Sequence, residues 1–246
     1  MLFYTIVICL LWAIPVSSQS AYEIIKKAEE HSRGKTSIAS INIQIIRPTW
    51  SRTITLKAWT KGNEYSAILI QAPAKEKGTV FLKRSKEVWN WIPSIERTIK
   101  MPPSMMNQSW MGTDFTTDDL VKEASILKDY THQIIGDTII QGRSAYVILL
   151  HPKQGSAIVW GKVITVIDKK DFMLLNVRYY DELSALVNTL DCDNIRDFGG
   201  RLLPSRMTMT PSDKDKYKTV MMYSDIVFDK DIPDSFFSVN SISAIQ

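Results

Sequence analysis

Hydrophobic and polar positions alternate with a period of two along most of this chain. Ile41, Ile43 and Ile45 alternate with Asn42 and Gln44, and Ile54, Leu56 and Ala58 alternate with Thr53, Thr55 and Lys57. Successive side chains of a strand point to opposite faces, so this spacing predicts half-buried strands. Further short runs rich in β-formers cover residues 65–70, 79–82, 88–92 and 97–101. A second series covers residues 131–135, 144–151, 157–167, 172–181, 186–197, 201–210 and 217–228. Lys61-Gly62-Asn63, Gly136-Asp137, Gln141-Gly142 and Gly199-Gly200 read as the turns between them. About twelve short strands at this spacing predict an all-β sheet that closes into a barrel or half-barrel.

Two segments depart from the period of two. Residues 21–33 (AYEIIKKAEEHSR) set Ile24, Ile25 and Ala28 against lysines and glutamates, and Gly34 follows as a stop. This is an amphipathic helix lying on something apolar. A second helix is predicted from Thr116-Thr117-Asp118-Asp119, where a threonine caps and the aspartates suit the positive end of the helix dipole. Leu120, Val121, Ala124 and Leu127 form its apolar stripe. A strongly curved sheet has a concave apolar face, and the two helices are expected to roof it. Phe172-Met173-Leu174-Leu175 and Val220-Met221-Met222 are apolar on both faces, as strands are when both sides are covered.

Residues 99–120 (IKMPPSMMNQSWMGTDFTTDDL) stand out. They hold four methionines, a tryptophan and a phenylalanine, yet Pro102 and Pro103 exclude helix and strand at the start. The segment is either a covered loop or an apolar flap that meets something beyond the protein's own core. Methionine is unbranched and conforms to irregular partners, which suits a surface accepting varied chains. Met101, Met105, Met106, Trp110, Met111 and Phe115 are therefore candidate acyl-chain contacts. Trp89 and Trp91 share one sheet face by alternation, and Trp59 is expected to join them. The alternative is a plug in which these side chains fill the barrel's own interior.

The N-terminus supplies context. Residues 1–20 carry no charged side chain, and the apolar run 2–16 is shorter than the ~20 residues of a spanning helix. This reads as a signal peptide, cleaved before Gln19 or Ala21, with residues 21–246 as one domain and the periplasm as the destination. Export would leave Cys192 alone, so the fold is held by its core without an internal disulfide. A net charge of +4, with no basic block interleaved with stacking aromatics, argues against nucleic acid. His31, His132 and His151 lack metal-ligand spacing, and no GxSxG, HExxH or phosphate-cradling glycine loop occurs. Asp114, Asp118 and Asp119 cluster, and helix capping is the simpler role. Asp191 and Asp193 read as a solvated strand edge. The expectation is a binding protein, not an enzyme, with no metal or cofactor.

WSRTITLKAW (residues 50–59), KGTVFLKRSKEVWNWIP (77–93) and MPPSMMNQSWMGTDFTTDDL (101–120) closely resemble the outer membrane lipoprotein-sorting protein family, the LolA-like proteins of Gram-negative bacteria. The resemblance extends to IPDSFFSV, residues 232–239. It implies a mainly β fold with two or three helices: a strongly curved, incompletely closed antiparallel barrel with a helical lid over an apolar cavity. It further implies a monomeric periplasmic carrier of lipid or lipoprotein acyl chains, taken from an inner-membrane transporter of ABC or RND type and passed to an outer-membrane receptor. In the family's carrier an arginine–proline pair just after a barrel strand helps hold the lid. The corresponding stretch here reads Trp59-Thr60-Lys61-Gly62, which leaves Lys61 as the candidate lid contact. The longer SWMGTDF pattern also resembles accessory factors of RND-type transporters, so a module that docks on such a transporter is the alternative.

Overall fold

The computed structural model describes residues 19–122, 126–156 and 158–245. Most of the expected signal peptide, and Ala124 of the second helix, lie outside the described residues. The fold is a mostly β structure built on a single curved sheet of thirteen antiparallel strands that does not close. One arm comprises β1 (Thr36–Ile46), β2 (Ser51–Lys61), β3 (Tyr65–Ala72), β4 (Val80–Arg84), β5 (Glu87–Ile92) and β6 (Arg97–Lys100). The other comprises β7 (Tyr130–Ile140), β8 (Arg143–Pro152), β9 (Lys162–Asp168), β10 (Leu174–Tyr180), β11 (Leu186–Asp197), β12 (Leu202–Pro211) and β13 (Lys218–Phe228). The order is β6-β5-β4-β3-β2-β1-β13-β12-β11-β10-β9-β8-β7, so β1 and β13 pair at the centre while β6 and β7 are the two edges.

That order explains the flap. The connection from β6 to β7 must travel from one edge of the half-barrel to the other, and it does so across the open mouth. The floor is set by register. Ile54, Ile43, Met221, Met207 and Cys192 stand opposite one another across β2, β1, β13, β12 and β11. Four of them are buried in the main core, and Met207 is partly buried against it. The convex face of β2 to β5 is covered as well. Short 3-10 turns at Asp234–Phe237 and Val239–Ala244 lay Phe237, Ile242 and Ile245 against Trp59, Leu69 and Leu82. Of the two runs expected to be covered on both faces, Met173 and Leu175 of the first are buried in a separate cluster with Ala145 and Val166, whereas Met222 of the second is exposed.

The N-terminal helix α1 (Ala21–Arg33) forms where expected. The Ser20 hydroxyl accepts from the Glu23 N–H, and Ile24 and Ile25 are buried against the sheet. Gly34 ends it at φ +64°, ψ −168°, a conformation open almost only to glycine. A Cβ there would also meet Asp229 and Arg201 at about 3 Å.

Three local expectations change. Gly136-Asp137 is not a turn: β7 runs through it with a register shift between Ile134 and Gly136, the bulge that a glycine inside a strand marks. The reversal comes at Gln141-Gly142, both at positive φ. Strand β9 begins at Lys162, and Ile158, Val159 and Trp160 ahead of it line the hollow. The second helix is reduced to a wide turn at Asp118–Lys122 and one turn, α2 (Ile126–Asp129). Its start is nevertheless a reciprocal cap: the Asp119 N–H donates to the Thr116 hydroxyl, and Asp119 accepts from the Thr116 N–H.

Candidate functional site

Between the concave face, α1 and the β6–β7 connection lies a cavity of about 420 Å³. That falls within the ~300–1,000 Å³ of small-molecule sites. Strands from both arms contribute, among them Ile41 of β1, Ile68 of β3, Val163 of β9 and Met207 of β12, so the curvature brings distant strands around one space. Its origin is a size pattern. Inward positions of β1 to β3 near one end are Ser37, Ala39, Ala58, Thr60 and Ser66, while the floor carries Ile41, Ile43, Leu56 and Ile68. Small side chains at paired positions (Ala39 with Ala58, Ser37 with Thr60) leave room that the larger ones close. The Ser37 and Thr60 hydroxyls bond to each other at 2.7 Å, so neither is left unsatisfied in the wall.

The roof comes from α1 through Ile25 and Ala28, and from the flap. Within the flap the Trp110 N–H donates to the Phe115 carbonyl, the Asp118 N–H to Met106 and the Thr117 N–H to Gln108. This ladder turns Trp110 and Phe115 inward, where both line the cavity and are almost fully buried. Trp110 rests on Phe81 at 5.4 Å between ring centroids.

The other sequence-derived candidates are dispersed. Met106 is buried in the main core beneath the flap, and Met101 and Met111 pack on that core's margin. Met105 is exposed. Trp59, Trp89 and Trp91 do share a face, but it is the convex one, where they pack with the C-terminal turns away from the hollow. The methionines that line the cavity are wall residues instead: Met173, Met207 and Met221. Lys61 does not touch the lid. Its ammonium donates to the Ile232 carbonyl at 2.9 Å and to Asp234 at 2.6 Å, holding the C-terminal segment on the convex face.

The flap is held by Arg47, which the sequence reading passed over. Arg47-Pro48 follows β1 directly, one strand earlier than Trp59-Thr60-Lys61-Gly62. The guanidinium meets Asp114 through two bonds, at 2.9 and 3.1 Å, and donates to the Gly112 carbonyl at 2.9 Å. Both side chains are about nine-tenths buried. Asp114 also accepts from the Thr219 hydroxyl of β13 at 2.7 Å, and Arg47 lies over the Tyr217 ring. Asp114 is therefore the flap's anchor and not a helix cap. The signal was available in the sequence as an Arg-Pro pair ending an alternating strand.

The lining also has polar members: Tyr130 and Tyr179, the acidic Glu29, Asp118 and Asp119, and the basic Arg33. Burial, then the charges of Asp118, Asp119 and Asp129, pushes the Tyr130 hydroxyl far above its ordinary value. Burial, then Asp119, Cys192 and Tyr130, does the same for Tyr179. Tyr179 is partly buried and lines the cavity. Burial raises the Cys192 thiol strongly too, which makes it a packing group, not a nucleophile. The histidines are apart: His31 bonds the Leu202 carbonyl and His132 the Ile126 carbonyl. Among the described residues no cluster of three or more His, Cys, Asp or Glu forms a metal site. Asp193 is paired with Arg206, and Asp191 accepts from Asn176.

A family model described as "Uncharacterized protein" matches residues 62–244. No curated protein matches the chain. Among solved structures, a domain from Vibrio parahaemolyticus described as an outer membrane lipoprotein-sorting protein superposes with a TM-score of 0.81 at 20% identity, covering 91% of this chain and 98% of its own. A DUF1329 family protein from Desulfovibrio piger gives 0.81 at 20% identity, covering 90% and 97%. A LolA superfamily protein from Nitrosomonas europaea gives 0.77 at 23% identity, covering 91% and 99%.

Proposed function

Because the chain belongs to the family whose model spans residues 62–244 and has the LolA-like fold, we propose that it is a periplasmic carrier that holds acyl chains of lipids or lipoproteins in its apolar cavity. The observation that carries this reading is the 420 Å³ hollow itself, roofed by a flap that is pinned by one buried ion pair. Burying an acyl chain contributes about 0.8 kcal/mol per methylene, so binding needs no catalytic group. The Arg47–Asp114 clamp supplies what a carrier needs besides room: a roof whose closed state depends on few contacts. Cargo enters and leaves through the flap, with an inner-membrane transporter as donor and an outer-membrane receptor as acceptor.

The test is direct. Protein purified without detergent is extracted into organic solvent and the extract analysed by mass spectrometry. Stoichiometric acyl lipid is the expected result. An empty extract, together with no uptake of a fluorescent fatty acid by the purified protein, would end the proposal.

A second reading, a module that docks on an RND-type transporter, is favoured by one feature. Ile95 in the turn before the edge strand β6, Ile99 on that strand and Met105 at the start of the flap are all exposed. A photo-crosslinker at Ile99 tests it, because that side chain faces outward where Trp110 does not. A membrane-protein adduct with no lipid in the cavity would favour docking over carriage.

A further inference from the structure

At the end of the sheet where β1 turns into β2, three connections meet through their side chains. Arg47 lies over the Trp50 ring of its own turn at 5.9 Å and over the Tyr217 ring of the β12–β13 connection at 4.9 Å. Arg52, near the start of β2, pairs with Glu76 of the β3–β4 connection at 3.1 Å. The exposed cations of these connections are Lys75, Lys77, Lys214, Lys216 and Lys218, and their exposed carboxylates are Asp213 and Asp215. Glu76 and Asp114 are taken up by Arg52 and Arg47. Among these charges stands Trp50, 51% exposed although its carbonyl is fixed by the Arg47 N–H at 2.9 Å. A fourth turn, residues 181–185, lies alongside, since the Ser212 N–H donates to the Val187 carbonyl at the start of β11. It presents Leu183 at 90% exposure, with Glu182 exposed beside it and Asp181 accepting from the Ala185 N–H of its own turn.

Single exposed apolar side chains are ordinary on a protein surface. A half-exposed indole beside lysine-rich turns is a different arrangement, because the ring suits the headgroup level of a bilayer and the ammonium groups suit its phosphates. We propose that this corner docks on the face of an anionic phospholipid bilayer. Charge selects that occupant: across the three connections five exposed lysines stand against two exposed carboxylates. Breadth favours it too. A bilayer face meets several turns at one end of a sheet together, and Leu183 adds an apolar tip to the row. The contact lies where the flap is anchored, since Arg47 carries both the ring contacts and the bonds to Asp114 and Gly112. Docking of this kind is independent of what fills the cavity.

The experiment is flotation of the purified protein with vesicles of phosphatidylcholine alone and of phosphatidylcholine mixed with phosphatidylglycerol, at low and high salt. The parent floats with the mixed vesicles only, and high salt releases it because surface charges are screened. Replacing three lysines together (Lys214→Gln, Lys216→Gln, Lys218→Gln) lowers affinity for the mixed vesicles about a hundredfold. Trp50→Ser weakens binding several-fold and leaves its salt dependence in place. Melting temperatures close to the parent's show that the variants are folded, and fatty-acid uptake in vesicle-free solution reports on carriage separately. Equal binding to both vesicle types, or variants that keep the parent's affinity, overturns the inference. So does an absence of vesicle binding, and retention on immobilised polyglutamate in that case would assign the corner to an acidic protein.

Discussion

Arg47 carries the flap with one side chain. Its guanidinium reaches a carboxylate and a carbonyl on the flap while its own backbone follows the end of β1, so it joins sheet and roof at a buried point that Thr219 of β13 shares. Removing one partner of a buried ion pair leaves the other charged and desolvated, which costs roughly 3–5 kcal/mol. Arg47→Met is therefore expected to lower unfolding stability by about 3 kcal/mol in urea and to open residues 101–115 to limited proteolysis. A variant with parent stability and an uncut flap would show that Asp114 is held elsewhere. Lysine at this position restores charge without the fork, and is expected to recover only part of the loss. Met106 marks the opposite case. It looked like a cargo contact, but it is a core residue, so a polar substitution there reports on folding and not on binding.

Among the elements, the corner where α1 meets β1 shows how the roof is fastened at its other end. Asp229, just past β13, accepts from the Lys35 N–H at 2.8 Å and pairs with Arg201 at 2.6 Å, while Arg201 also donates to the His31 carbonyl of α1. The Lys35 N–H, followed by Arg201, holds the Asp229 carboxyl below its ordinary value of 3.8. A depressed carboxylate stabilises the fold fully above its unfolded value and loses that contribution as pH falls through the folded one. Asp229→Asn should thus be less stable than the parent at neutral pH, with the difference shrinking as pH drops below 3.8. Thermal melts across the acid range provide the check, and a difference that grows on acidification would contradict the assignment. Asparagine suits the site because Asp229 has φ +58°, which asparagine also tolerates, so the change isolates charge. The second helix teaches a different lesson. Its cap was readable in Thr116 to Asp119, but its length was not, since a connection crossing the mouth is set by the span between two edge strands.

For the whole molecule, the hollow is a matter of volume. Ala39 and Ala58 face each other across β1 and β2 and leave space that Ile41 and Leu56, one step along, fill. Inserting bulk into a packed core typically costs 1–3 kcal/mol. Ala39→Phe is expected to cost less than about 1 kcal/mol, because its ring enters open space, and to reduce uptake of a fluorescent fatty acid. A large loss of stability with uptake unchanged would mean that Ala39 lies in packed core and that cargo sits elsewhere.

The chain's period of two determined the strands, and the charged-against-apolar pattern of residues 21–33 determined the helix, because both depend on side-chain direction within one element. Arg-Pro after β1 and small residues at alternate inward positions were also written there, and a reading by residue type overlooked them. Which face each strand presents to which neighbour belonged to the tertiary structure. Trp59, Trp89 and Trp91 satisfy alternation equally well toward either side, and only the C-terminal turns packing on the convex face decided it. The cavity was beyond local pattern for the same reason. Empty space is a property of β1 to β3 and β7 to β13 together, fixed when the curvature of the sheet brings the two arms around a volume that their side chains do not fill.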